Sequence, residues 1–182
     1  MLTASILKRL QPLILLLVVT FGAALPAAAQ EVGPVSGLPM PRFVSLRSEP
    51  INVRVGPGTR YDVAWIFVKS DLPVEIIQEF DTWRKVRDID GQEGWIHQNL
   101  LVGRRTAYIA PWKSEPVNLR ARAGENSRAL AELAPKVLVK VDSCDGEACK
   151  VATFSEQSGG TSYSGYVDQE DLWGVYAGET FD

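Results

Sequence analysis

His97 is the only imidazole in this chain of 182 residues, and Cys144 and Cys149 are its only thiols. Serine and cysteine hydrolases set a histidine beside their nucleophile, and zinc centres gather three or four imidazole, thiolate or carboxylate ligands. One histidine after the stretch "GWI", no Gly-x-Ser-x-Gly elbow and two cysteines confined to "DSCDGEACKV" meet neither requirement. In an oxidising compartment that cysteine spacing, around an Asp-Gly turn signal, reads as one disulfide across a hairpin; free thiols are the alternative. Carboxylate-only hydrolysis is left. Asp88, Asp90 and Glu93 stand close in sequence, as a glycosidase pair or a calcium loop would. They flank the Asp90-Gly91 turn and lack a third calcium ligand and a downstream glutamate, so a solvated turn is expected. His97 is expected to be solvated or to cap a turn. No catalytic residue, metal or cofactor is expected, and what stands out instead is aromatic: Tyr61, Trp65, Trp83 and Trp95.

The elements that position these residues come in two copies. "SEPINVRVGPG" starts at Ser48 and "SEPVNLRARAG" at Ser114. Two further blocks match, "WRKV" from Trp83 with "ACKV" from Ala148, and "GWIHQNLLVG" from Gly94 with "GYVDQEDLWG" from Gly165. The offsets are 66, 65 and 71, so the second copy holds a six-residue insertion, within "FSEQSGGTSYSG". Self-similarity of this kind marks a duplicated structural unit. Each copy is written in short apolar or alternating runs such as "INVRV" and "VLVKVDS", punctuated by Asp90-Gly91 and Asp145-Gly146, which is the pattern of strands and hairpins. The fold expected is all-β, with five or so strands per copy bent into a small barrel. Val53, Val63, Ile66, Val74, Ile76, Val86 and Ile96 are expected to fill the first copy. Leu119, Leu130, Leu133, Val137, Val139, Val151 and Val167 are expected to fill the second.

Ahead of the copies, Lys8 and Arg9 precede an apolar run from Leu13 to Leu25 and the small residues Ala27, Ala28 and Ala29. That is the layout of a secretory signal peptide, expected at 1–29, without a following cysteine for lipidation. Residues 30–42, "QEVGPVSGLPMPR", have three prolines and no periodicity and read as an extended tether. The remainder divides into 43–105 and 106–178. Two of the 19 basic residues and none of the 22 acidic ones fall in the leader, so the processed chain is acidic, which disfavours nucleic acid as a partner. No later apolar stretch is long enough to embed it in a membrane. The expected destination is secreted, periplasmic.

The order "INVRVGPGTRYDV", then "WRKVRDIDGQEGWIHQNLL", resembles the bacterial SH3-like domain family: an N-x-R-x-G-P-G-x-x-Y opening, a W-x-K-V strand and a G-W-[IV] strand. The resemblance implies two tandem small SH3-like β-barrels covering nearly all of the processed chain. It further implies a groove between the first long loop and a facing loop, holding a peptide-like ligand against aromatic rings. On this chain that groove would use Tyr61 and Trp83 as walls, Arg54 and Arg60 as partners for a ligand carboxylate, and Gly56, Pro57 and Gly58 as a pre-formed turn. The two glycines are expected to supply backbone conformations closed to other residues. The second copy departs from the pattern at Ala123, Glu125, Ala148 and Tyr166, so binding is expected in the first. The function implied is non-catalytic binding of peptidoglycan peptide or an envelope protein segment. An accessory or chaperone-like subunit of one envelope protein is the alternative, and a carboxylate-based cell-wall hydrolase a lower third.

Overall fold

The structure, a computed structural model, describes residues 31–157 and 159–182; the expected leader lies outside them. The first unit consists of β3 (Arg42–Leu46), β4 (Ile51–Arg54), β5 (Val63–Phe67), β6 (Pro73–Phe80), β7 (Trp83–Arg87), β8 (Glu93–His97) and β9 (Leu101–Val102), preceded by a hairpin of β1 (Glu31–Val32) and β2 (Pro39–Met40). The second consists of β10 (Thr106–Ile109), β11 (Val117–Arg120), β12 (Ala129–Leu133), β13 (Leu138–Asp145), β14 (Ala148–Thr153), β15 (Ser164–Asp168) and β16 (Leu172–Trp173), followed by β17 (Thr180–Phe181). Their antiparallel sheets run β5-β4-β8-β7-β6-β3-β9 and β12-β11-β15-β14-β13-β10-β16, the same order strand for strand. The duplication in the text is a duplication of topology. Among the described residues no helix is long and apolar enough to cross a membrane.

Each unit closes on its own apolar core. Leu46, Ile51, Val53, Val74, Val86 and Ile96 are fully buried in the first, and Ile109, Leu119, Val139, Val151 and Val167 in the second. Three expected core residues are not there: Val63, Ile66 and Leu130 are exposed. A register shift after Val53 sets Val53 opposite Trp65 and Ile51 opposite Phe67, so Trp65 and Phe67 face inward and their neighbours outward. A one-residue slip moves a whole strand's side chains to the other face.

The same device acts on β6. A bulge between Ile76 and Gln78 breaks the alternation, turning Glu79 inward and Phe80 out to 57% exposure. The matching bulge between Val141 and Ser143 turns Cys144 inward. Glu79 pairs across the hairpin with Arg84, and Cys144 with Cys149, so one buried position holds an ion pair in the first unit and a disulfide in the second. Replacing both cysteines by alanine is expected to lower stability by about 2 kcal/mol, the chain-entropy value for so short a loop. Urea unfolding of the two proteins measures this, and equal midpoints would show that the hairpin holds without its link.

The expected tether is instead a folded hairpin, and Glu79 is the reason. Its carboxylate accepts from the Val35 amide (3.1 Å), the Ser36 amide (2.9 Å) and the Ser36 hydroxyl (2.7 Å), and pairs with Arg42 at 2.8 Å. Burial opposes ionisation, but these donors outweigh it and hold the carboxyl at about 2. A segment without apolar periodicity is ordered here by polar contacts, a signal that periodicity does not carry.

The two units pack on one another. Phe43 packs edge to face against Trp173 and at a tilt against Tyr176, with ring centres 5.2 and 4.8 Å away, and the Tyr176 hydroxyl donates to Glu75 at 2.9 Å. Ser45 and Thr106, both buried, bring their hydroxyl oxygens within 2.7 Å, and Thr106 donates to the Asp71 carbonyl. The second sheet continues past Gly178, because β17 pairs with β13 beside the disulfide.

Candidate functional site

The loop after β4 is built on Arg54, whose guanidinium donates through Nη1 to the Tyr61 carbonyl at 2.7 Å. Val55 and Asp62 close the loop through a backbone bond of 3.1 Å. Neither Gly56 nor Gly58 has a positive φ, so the expectation of a conformation closed to other residues is corrected. The buried Gly56 is instead a matter of room, since a Cβ there would stand 2.5 Å from the Tyr61 ring. Tyr61 therefore lies down on the turn, and Arg60 sits over its outer face, 5.1 Å from the ring centre. Pro57 stays half-buried in the same turn.

Trp83 opens β7 directly opposite His97 at the end of β8, and the two rings meet edge to face at 5.5 Å. His97 Nδ1 accepts from the Asn99 amide at 3.3 Å, capping the short turn that follows, as expected for this residue. Between Trp83, His97, Arg54 and Thr59, with apolar Pro50 and Leu100, lies a cleft of about 230 Å³. Of the residues singled out in the sequence, Trp83 and Arg54 meet at this cleft; Tyr61, Arg60, Gly56, Pro57 and Gly58 are not in its wall. His97, Asn52 and Thr59 are wall residues that the sequence reading missed. The signal for His97 was present, because residues paired across β7 and β8 are placed symmetrically about Asp90, and counting outward from that turn sets Trp83 against His97.

The sequence carboxylates are occupied elsewhere. Asp88 Oδ1 accepts from the Asp90 and Gln92 amides at 3.0 and 2.8 Å, which is the turn. Glu93 is paired with Lys85 and Arg87, which hold its carboxyl below the usual range.

A family model of the bacterial SH3 domain matches residues 47–103 and again 113–174, one match on each unit. The chain belongs to the bacterial SH3 domain family. No curated protein matches significantly. Among solved structures the chain is similar to NlpC2 and NlpC1 from Trichomonas vaginalis, at 16% identity and a TM-score of 0.30 in both cases. The matches cover 73% and 78% of this chain but 48% of each of those chains, so it spans about half their length.

The second SH3 domain presents a different surface at the equivalent place. Ala148, buried, stands where Trp83 stands, and Asp168 stands where His97 stands. Arg120, the counterpart of Arg54, pairs with Asp168 at 2.7 Å. The cleft beside Ala148 and Asp168 measures about 400 Å³ and is walled by the acidic residues Glu125, Asp145, Glu147, Asp168 and Glu170, with Arg120 outside its wall. The two SH3 domains thus share topology and differ in charge at the same position.

Proposed function

We propose that the protein is an exported, periplasmic and non-catalytic binder of peptide-like cell-wall ligands, which it holds at the Trp83 cleft of its first SH3 domain. The observation that carries this reading is that cleft: one aromatic wall beside polar groups of Arg54, His97, Asn52 and Thr59, with no carboxylate among its lining residues. Bacterial SH3 domains are generally cell-wall binding. A volume of about 230 Å³ is below the roughly 300–1,000 Å³ of small-molecule pockets. It suits one side chain or chain end of an extended ligand better than a whole metabolite. Support for binding without catalysis comes from the titratable groups, since His97 caps a turn, Asp88 makes one, and both cysteines are joined.

Docking on a single envelope protein is the second reading, and it is favoured by β5. This strand ends the first sheet and leaves Val63, Ile66 and the adjoining Val68 exposed at 41%, 51% and 79%. An apolar edge strand is a template for another chain. Co-sedimentation with purified, protein-free sacculi separates the two. Wall binding predicts that the processed protein pellets with sacculi and is released by excess soluble muropeptide. Protein that stays in the supernatant, and cross-links in cells to one envelope protein, would favour docking.

A further inference from the structure

Arg54 and Arg120 occupy the same place in the two domains, each at the end of its strand and each opposite the aromatic residue of the G-W or G-Y pair. Their charges are answered differently. In the second domain the carboxylate of Asp168 meets Arg120 at 2.7 Å. In the first, the residue at the Asp168 position is His97, and Arg54 makes a single bond, to the neutral Tyr61 carbonyl. Its Nε and Nη2 have no protein partner among the described residues, and it is half-buried at the edge of the cleft. With Nδ1 accepting from the Asn99 amide, the proton of the His97 ring lies on Nε2, a second donor without a protein partner among the described residues. A guanidinium in a partly desolvated cleft is matched best by a carboxylate, through charge-assisted hydrogen bonds.

We propose that the first domain recognises a carboxylate of its ligand through Arg54 and His97, and that Asp168 fills the equivalent place of the second domain from within. This rests on the reading of the Trp83 cleft as the ligand site and names the group recognised there. The second domain supplies the template, since a carboxylate held at this place by this arginine is already present in the same chain. It also separates the two copies: Arg120 already has its carboxylate, and the cleft beside Asp168 is walled by acidic residues that would repel the group Arg54 attracts.

Soluble muropeptides released from sacculi by lysozyme provide the probe, used natively and after conversion of their carboxyl groups to amides. Calorimetric titration into the wild-type protein is expected to show the native form binding at least tenfold more tightly than the amidated form. His97→Asp, which copies the second domain and gives Arg54 an internal partner, is expected to reduce affinity for the native form by a similar factor without lowering the thermal midpoint. Equal affinities of wild type for native and amidated muropeptides would overturn the carboxylate while leaving the cleft as a site. Binding of neither form would remove the cleft reading, and the inference with it. Wild-type affinity in folded His97→Asp would overturn the assignment to this pair, and the acid-against-amide comparison decides the matter even where that variant does not fold.

Discussion

Glu79→Ala is expected to destabilise the first SH3 domain by about 3–5 kcal/mol, the range for breaking one partner out of a buried ion pair, and to release the N-terminal hairpin. The Glu79 side chain has no solvent exposure and serves Arg42, Arg84, the amides of Val35 and Ser36 and the Ser36 hydroxyl. Its removal leaves two guanidinium groups short of a counter-charge and three donors of the hairpin without an acceptor. Apolar packing compensates little: Met40 packs against the core, but Val32, Val35 and Leu38 are each more than half exposed. Denaturant unfolding reads the stability, and hydrogen exchange at Val35 and Ser36 reads the release. Protection of those two amides in the alanine variant would show that the hairpin is held by something other than this carboxylate.

The same group fixes a pH dependence. Its pKa is about 2 in the folded protein against 4.5 for an ordinary glutamate, so the folded state favours the charged form. The resulting stabilisation, on the order of 3 kcal/mol, is fully present above about pH 4.5 and fades as pH falls towards 2. Glu79→Gln has no such proton to bind. The stability gap between wild type and Glu79→Gln is therefore expected to be widest near neutrality and to narrow steadily below pH 4.5; a constant gap from pH 7 to pH 2 would contradict the assignment.

The sequence made the architecture legible because a duplicated pattern constrains both copies together. "NVR" and "NLR" both lie in strands, with the leading asparagine exposed, the middle Val53 or Leu119 buried and the closing arginine half-buried. The six-residue insertion appears as the longer connection between β14 and β15, compared with β7 and β8. The alternation rule failed where bulges interrupt it. Without the irregularity between Ile76 and Gln78 a glutamate before a phenylalanine reads as the solvent-facing partner, whereas here Glu79 is buried and Phe80 is not. The hairpin at residues 31–40 was invisible for the same reason, since its anchor is a side chain more than forty positions away. Among site residues, Trp83 and Arg54 were read from their types. Tyr61 was read from type too, but its ring is taken up by Gly56, a packing detail that spacing does not encode.

Trp83 is where the functional account is most exposed to test. Its ring is half-buried against His97, forms the aromatic wall of the cleft, and is absent from the second domain, where alanine replaces it. A ring in a desolvated binding pocket commonly contributes 2 kcal/mol or more, roughly thirtyfold in affinity. Trp83 stands at the start of its strand and outside the buried cluster of Val53, Val86 and Ile96, so its truncation removes a wall without emptying the core. The decisive measurement is isothermal titration of soluble muropeptides into wild-type protein and Trp83→Ala, with circular dichroism to establish that both are folded. The account predicts roughly thirtyfold weaker binding by a folded Trp83→Ala protein; binding at wild-type affinity by that folded variant would contradict it.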